Sequence, residues 1–193
     1  WLVDPLDGTK EFLNRNGEFT VNIALIEENR PVMGVILVPG TNTLYFGGLQ
    51  TGSHRIGDLS LVQDVMHDFE SLLSTAKALP HHHSRSTVTA VASRSHLNTD
   101  TSSFLDSLKE THGEIDVISK GSSLKLCLVA EGAADVYPRM APTMEWDIAA
   151  GDAIATAAGC RVIEHATGMP LQYNKEQLLN PHFVVYGDGF NEG

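Results

Sequence analysis

The first part of the chain alternates apolar and polar residues with a period of two, the pattern of β-strands that bury one face. Turn-forming residues separate three such runs, which cover residues 19–27, 31–38 and 43–47 and predict an antiparallel meander. Residues 59–79 instead carry apolar side chains partly at helical spacing, so a helix with polar interruptions is expected there.

The remainder of the chain alternates strand and helix patterns, as layered α/β folds do. The predicted strands cover residues 87–92, 115–118, 135–137, 161–164 and 182–186. The predicted helices cover residues 101–111, 122–131 and 145–158, with Asn98 or Asp100 as the cap of the first and Gly159 after the last. We therefore expect one domain with two lobes, at about residues 1–80 and 87–193.

Composition and charge narrow the functional classes. With 193 residues, of which 42% are apolar, the chain can bury the core of a globular domain. Its formal charge of −11 argues against a nucleic-acid polymer as partner, because polymer binding requires a basic surface. No apolar run has the length of an integral membrane segment. The sequence leaves the oligomeric state and peripheral attachment at the inner membrane open.

Candidate ligands for transition metals are few. The polar stretch 80–86 contains three consecutive histidines, 81–83, which could bind such a metal. Because no other cysteine or histidine stands at ligand spacing, we interpret this stretch as a solvated connector. Cys127 and Cys160 stand in apolar surroundings, and we interpret them as buried thiols of a protein in a reducing cytoplasm.

Two carboxylates lie three positions apart at the start of the chain. A short apolar run leads to Asp4, and Pro5 is expected to turn the backbone sharply so that Asp4 and Asp7 face one point. Carboxylates are ligands for hard cations such as Mg²⁺, and the carbonyl of Leu6 could add a third oxygen. A calcium EF-hand is excluded, because Arg15 would stand where that loop needs its bidentate Glu.

The two residues after Asp7 are suited to a phosphate. Gly8 lets a phosphate approach the backbone, and Thr9 offers a hydroxyl and could begin a short helical turn. The alternative is an ordinary surface turn, since Asp, Pro and Gly are common in turns for conformational reasons alone.

A second acidic element follows late in the chain, at residues 144–154. Glu145 and Asp147 would lie in the first turn of a helix whose other residues are mostly small. This pattern also fits a capped helix packed tightly against its neighbours. Taken together, the two acidic elements could bring three carboxylates to one metal cluster.

The two elements resemble the signature motifs of a known enzyme superfamily. Residues 4–12, DPLDGTKEF, and residues 146–151, WDIAAG, are similar to the paired motifs of the inositol monophosphatase superfamily of lithium-sensitive, magnesium-dependent phosphomonoesterases. Within it, the chain most resembles the CysQ branch of 3′(2′),5′-bisphosphate nucleotidases, over essentially its whole length. The segments that indicate this branch are residues 17–25, 93–96, 121–125 and 131–139.

The resemblance implies an αβαβα sandwich with an antiparallel sheet in the first lobe, a smaller mixed sheet in the second and the metal site between them. It also implies that the chain is an N-terminally truncated phosphatase domain. The family's paired-Glu motif and an earlier acid that orients water have no counterpart in these residues.

The resemblance further implies site residues and a reaction. Two or three Mg²⁺ ions would be bound by Asp4, the Leu6 carbonyl, Asp7 and Asp147, with Asp7 and Thr9 catalytic. Gly8 and Thr9 would bind the transferred phosphate. The residues implied in binding the rest of the substrate are Ser93, His96, Ser122, Lys125 and Arg139. The expected reaction converts adenosine 3′,5′-bisphosphate to AMP and phosphate, which clears a by-product of sulfate assimilation.

Two other functions stay open. The same chemistry could act on an inositol phosphate or on fructose 1,6-bisphosphate, although the basic residues Lys125 and Arg139 argue for a second phosphate on a nucleotide. The chain could alternatively be a non-catalytic module that binds a nucleotide or a metal.

Overall fold

A computed structural model describes residues 1–65, 67–81, 85–92 and 98–191. The first part of the chain forms a six-stranded sheet in which each strand pairs antiparallel with the next along the chain. Its strands are β1 (Leu2–Asp7), β2 (Thr20–Glu27), β3 (Arg30–Val38), β4 (Thr43–Gly48), β5 (Gly52–Ile56) and β6 (Lys77–Leu79). The predicted antiparallel meander is confirmed and extends further than predicted.

The second sheet has five strands in the order β10-β11-β9-β7-β8. Its strands are β7 (Val88–Ala92), β8 (Ile115–Ser119), β9 (Val136–Arg139), β10 (Arg161–Glu164) and β11 (Phe183–Tyr186). Strand β7 pairs parallel with both β8 and β9, whereas β11 pairs antiparallel with β9 and β10. The predicted smaller mixed sheet is therefore confirmed.

The α-helices of the described residues are α1 (Thr9–Leu13), α2 (Phe69–Thr75), α3 (Thr99–His112), α4 (Leu124–Ala130) and α5 (Glu145–Ala157). The cap of α3 is Asn98, whose side-chain oxygen accepts a hydrogen bond from the Thr101 N–H at 2.9 Å. Gly159, with φ +86°, follows the end of α5 as predicted.

The elements stack in five layers. Helix α5 packs on β2, β3 and β4 of the first sheet, while its neighbour α4 packs on β7, β9 and β11 of the second. Helix α3 covers the other face of the second sheet, and Phe69 of α2 packs against Phe46 on the outer face of the first. The main core therefore lies between the two sheets, around α4 and α5. This arrangement is the predicted αβαβα sandwich.

The predicted helix over residues 59–79 is wrong. The described part of this segment contains two 3-10 helices, Leu59–Leu61 and Gln63–Val65, followed by α2 and β6. Asp58 and Asp68 each cap a short helix, because each side chain accepts a backbone N–H, and Asp68 thereby starts α2 inside the predicted segment. Strands β5 and β6 were missed, since both are short, with five and three residues, and β5 is rich in polar residues.

Some further predictions concern single residues. Cys127 and Cys160 are buried and free, as expected. The backbone N–H of His81 donates to the carbonyl of Glu131 at 2.8 Å, while the other two histidines lie outside the described residues. Among the residues that the structure describes, no helix combines the length and the apolar character needed to cross a membrane.

Candidate active site

A bulge in the edge strand β1 brings its two acids to the same face of the sheet. Asp4 pairs with Asn22 and Asp7 with Thr20, so three steps along β1 match two steps along β2. Without the extra residue, side chains three positions apart would point to opposite faces. Pro5 does not end the strand, contrary to prediction. An edge strand can accommodate it, because one side of the strand needs no ladder hydrogen bond.

The acids of β1 meet the first turn of α5. One carboxylate oxygen each from Asp4, Asp7 and Asp147 lies within 4.8 Å of the others. The other acid of that turn, Glu145, is fully buried and does not belong to the cluster. Its carboxylate accepts hydrogen bonds from Lys175 Nζ at 2.6 Å and from the Asn174 N–H at 2.7 Å, which anchors the start of α5.

The three acids repel one another when they are charged. Burial and the charges of Asp7 and Asp4 together raise the pKa of Asp147 to about 6, although a hydrogen bond from the Met144 N–H at 2.7 Å opposes the shift. Burial also raises the pKa of Asp4, as does the charge of Asp7, while the Leu6 N–H lowers it by donating to Asp4 Oδ1 at 2.9 Å. A bound cation would relieve this repulsion, so the cluster has the donor set and the charge for a metal ion.

Asp7 is oriented by the turn before α4. Its Oδ2 accepts hydrogen bonds from Ser122 Oγ at 2.5 Å and from both the backbone N–H and Oγ of Ser123 at 2.8 Å. Ser122 has φ +52°, a region that non-glycine residues seldom adopt, and its hydroxyl lies 2.5 Å from Thr20 Oγ1. The Ser122 hydroxyl, predicted to hold substrate, is thus in contact with the acid cluster.

The loop after Asp7 leaves space for an anion. Gly8 has φ +84° and precedes α1, and its carbonyl accepts the Phe12 N–H at 2.9 Å. A side chain at Gly8 would come within 3.2 Å of the Ser122 Cβ and of the Glu11 carboxylate. Thr9 is exposed and begins α1, as the sequence predicts. Gly8 and Thr9 line a cavity of about 200 Å³ together with Asp7 and Asp147.

Two basic residues, Lys125 and Arg139, also line this cavity. Lys125 is 6% exposed, and its ammonium donates to the Ser122 carbonyl at 2.7 Å and lies over the ring of Tyr137. Burial lowers its pKa to about 8, as does the charge of Arg139, whereas Asp7 opposes this shift. Arg139 Nη2 donates to the Pro142 carbonyl at 3.1 Å, while its buried Nε has no partner among the described residues.

The structure therefore brings Asp4, Asp7, Gly8, Thr9, Ser122, Lys125, Arg139 and Asp147 to one place. Leu6 lies between the two acids of β1, and the role of its carbonyl stays a prediction. Ser93 and His96 lie outside the described residues, as does the rest of the segment 93–96. Lys120, which lies just before the turn that precedes α4, forms an ion pair with Glu18 at 3.2 Å.

The sequence analysis missed the residues that support Asp7. Thr20, Asn22 and Ser123 are all buried, and they contact Asp7 or one another. A signal was present for the first two, because Thr20 and Asn22 stand at positions of β2 that should face the core. A polar residue at such a position needs a buried partner.

Comparison with known proteins identifies the family. The sequence model of the inositol monophosphatase family matches residues 1–187. The chain belongs to this family. The protein named 3′(2′),5′-bisphosphate nucleotidase CysQ of Shigella flexneri is 44% identical over 187 residues, which are 96% of this chain and 67% of that protein. The chain thus spans about two thirds of the length of this relative.

Solved structures agree with the fold. The crystal structure of CysQ from Bacteroides thetaiotaomicron superposes with a TM-score of 0.92 at 52% identity, over 97% of this chain and 69% of that one. Staphylococcal IMPase-II, at 19% identity, superposes with a TM-score of 0.74 over 98% of this chain and 67% of that one, and shows the fold alone. The two segments whose sequences resemble the family's motifs, residues 4–12 and 146–151, carry the three acids that meet in the cluster.

Proposed function

We propose that this protein is a Mg²⁺-dependent phosphomonoesterase that hydrolyses adenosine 3′,5′-bisphosphate to AMP and phosphate. The observation that carries the proposal is a single cavity lined by the carboxylates of Asp7 and Asp147, which cluster with Asp4, and by the basic groups of Lys125 and Arg139. Relatives named as 3′(2′),5′-bisphosphate nucleotidases support this substrate. Such a reaction would clear a by-product of sulfate assimilation. The free thiols of Cys127 and Cys160 support a reducing cytoplasm as the location of the protein.

The acid cluster fits Mg²⁺ better than a soft metal. All of its donors are carboxylate oxygens, from Asp4, Asp7 and Asp147, and the Leu6 carbonyl would complete the set. We propose that these residues hold two or three ions. When bound, Mg²⁺ polarises phosphoryl oxygens and lowers the pKa of a coordinated water.

The residues after Asp7 orient the phosphate that is cleaved. Because Gly8 has no side chain, a phosphate oxygen can approach the backbone at the start of α1. The exposed hydroxyl of Thr9 can hydrogen-bond to that phosphate and to the attacking water. We assign Asp7 and Thr9 as catalytic residues on these grounds.

The basic residues of the cavity would bind the second phosphate. Arg139 Nε is buried without a partner among the described residues, so an anionic oxygen would satisfy it by a charge-assisted hydrogen bond. With a pKa of about 8, Lys125 is mostly charged at neutral pH and adds a second donor. Ser122 would complete this part of the site, and we propose that Ser93 and His96 contact the nucleotide. The lobes at about residues 1–80 and 87–193 would then form one phosphatase domain.

Phosphate release from three substrates tests the proposal. Adenosine 3′,5′-bisphosphate, inositol monophosphate and fructose 1,6-bisphosphate would be compared in the natural full-length protein, with and without Mg²⁺ and Li⁺. We expect kcat/KM for the nucleotide to be about tenfold or more above the others, with loss of activity on removal of Mg²⁺ and inhibition by Li⁺. Arg139→Gln should lower kcat/KM for the nucleotide but not for inositol monophosphate.

Other outcomes would favour the two other functions. A preference for inositol monophosphate would replace the nucleotidase assignment by an inositol monophosphatase activity. Tight nucleotide binding without hydrolysis of any of the three substrates would instead indicate a non-catalytic module.

A further inference from the structure

A single oxygen of Asp7 receives all of the hydrogen bonds that this side chain accepts within the described residues. Ser122 Oγ lies 2.5 Å from Asp7 Oδ2, and the N–H and Oγ of Ser123 each lie 2.8 Å from it. These donors are enough to saturate one carboxylate oxygen. Oδ1 is therefore the Asp7 oxygen that is left to face a cation.

The Ser123 hydroxyl also contacts the element that carries Asp147. Its Oγ lies 2.7 Å from the Asp147 backbone carbonyl, so one hydroxyl bridges the end of β1 and the first turn of α5. A hydroxyl has only one proton and cannot donate to both acceptors at once. A second donor nearby would serve the acceptor that the hydroxyl leaves.

Asn22 supplies that donor from β2. Its Nδ2 lies 2.8 Å from Ser123 Oγ, 3.4 Å from the Asp147 carbonyl and 3.5 Å from Asp7 Oδ2. An amide nitrogen carries two protons, so it can donate to Ser123 and still compensate whichever acceptor Ser123 leaves. Asn22 is 1% exposed, which keeps water from replacing it.

This arrangement has a cost in stability. Asn22 Oδ1 is buried and has no hydrogen-bond partner among the described residues. A buried polar atom without a partner is unfavourable, and an apolar residue at this inward position of β2 would avoid the penalty. The amide is therefore better explained by what its nitrogen holds in place than by packing.

We propose that Ser123 and Asn22 are positioning residues that set the separation of Asp7 and Asp147 and thereby tune the affinity of the site for Mg²⁺. Neither residue would touch the ion or the substrate. Ser123 contacts both carboxylate-bearing elements, and Asn22, whose shortest hydrogen bond is the one to Ser123 Oγ, belongs to the same network. The inference rests on the proposed function, because it requires that the acid cluster binds the metal.

Calorimetric titration with Mg²⁺ alone tests this role without a turnover assay. In the natural full-length protein, Ser123→Ala should weaken Mg²⁺ binding about 10- to 100-fold, as is typical when a residue that orients a metal ligand is lost. Ser123→Thr keeps the hydroxyl and should restore affinity to within about threefold. Phosphate release should show a raised Mg²⁺ concentration for half-activity, with kcat largely recovered at saturating Mg²⁺.

A second substitution tests whether Asn22 and Ser123 act in one network. Asn22→Ala should weaken Mg²⁺ binding in the wild-type background but add little to Ser123→Ala, because residues that act in one network are not additive. Ser53→Ala is the matched control. Ser53 is 2% exposed on β5 and its hydroxyl has no partner among the described residues, so its loss should leave Mg²⁺ affinity unchanged.

The outcomes separate this inference from the proposed function. If the wild type binds Mg²⁺ and hydrolyses its substrate but Ser123→Ala binds Mg²⁺ equally well, the positioning role is wrong and the enzymatic assignment stands. Additive effects of the two substitutions would also contradict the proposal. A wild-type protein that binds no Mg²⁺ would refute the proposed function and this inference together.

Discussion

Two aspartates on helix α5, the buried Asp152 and the half-buried Asp147, show how the surroundings of a residue decide its use. Asp152 accepts hydrogen bonds from Tyr173 Oη at 2.6 Å and from Thr156 Oγ1 at 3.0 Å, which satisfies it without a cation. Burial raises the pKa of Asp152 to about 6, and these two donors oppose the shift. The pKa of Asp147 is raised to a similar value, but here other carboxylates add to the effect of burial. Only Asp147 lies where a cation would be favourable.

This difference predicts opposite outcomes for the same substitution. Asp147→Asn should lower kcat at least about 100-fold, because it weakens a metal ligand at the reacting centre. The fold should remain intact, and without metal the variant should be at least as stable as the wild type, because a half-buried repelling charge is removed. Phosphate release and urea unfolding in the presence of a chelator would measure the two effects.

Asp152→Asn is the matched control, since it makes the same change in a buried acid of the same helix. It should keep near-normal kcat, because Asp152 does not line the cavity of the site. Near-normal turnover in Asp147→Asn would remove Asp147 from the metal site.

At the scale of elements, the close approach of α5 to the first sheet fixes where the acids meet. Gly34 of β3 faces the α5 backbone, and a Cβ built there would lie 2.2 Å from the Ala150 carbonyl oxygen. Gly151 on the same helix similarly leaves room for Leu126 of α4. The small residues of α5 thus allow the helix to lie close enough to β1 and β2 for Asp147 to reach Asp7.

Gly34→Ala should therefore be strongly destabilising. The methyl group would meet backbone atoms that cannot move independently, so we expect a loss of about 3 kcal/mol or more in the free energy of unfolding. Gly57→Ala is the control, because the nearest heavy atom to its Cβ would be Arg55 Nη1 at 3.8 Å. Urea unfolding of both variants decides the matter, and equal stability would show that α5 can shift without cost.

At the scale of the whole molecule, an ion pair joins the first sheet to the helix layer. Glu131, at the end of α4, accepts a hydrogen bond from Tyr45 Oη of β4 at 2.6 Å and pairs with Arg55 Nε of β5 at 2.8 Å. The Glu131 side chain is only 15% exposed. The site at the other end of α4 depends on the position of this helix, because Ser123 immediately precedes it.

Glu131→Ala should lower the free energy of unfolding by about 2–3 kcal/mol, because it removes the carboxylate that the buried Tyr45 hydroxyl and the half-buried Arg55 guanidinium contact. The control is Asp106→Ala, which removes the exposed pair with Lys109 on α3 and should cost less than about 1 kcal/mol. Equal losses in chemical unfolding would mean that the Glu131 pair contributes no more than a surface pair.

Much of the architecture was predictable from local patterns. The strands over 19–27, 31–38 and 43–47 were predicted to within a residue or so, and Asn98 was named as a possible helix cap. These features depend on residues that are close together in sequence. Alternating side chains define a strand, and a polar side chain caps a helix, whatever the rest of the chain does. The interrupted segment 59–79 failed, because apolar spacing alone does not reveal that Asp58 and Asp68 each start a new helix.

The sequence alone identified the candidate acids Asp4, Asp7 and Asp147 and the basic residues Lys125 and Arg139. It also predicted most strands and helices. The convergence of these residues was decided by tertiary structure. The bulge in β1 turns Asp4 and Asp7 to one face, and the contact between Asn22 and Ser123 joins residues 101 positions apart. Register and packing depend on all layers at once, so no local pattern specifies them. For that reason the candidate metal ligands were readable in the chain, whereas the contacts that hold them in place became visible only in the fold.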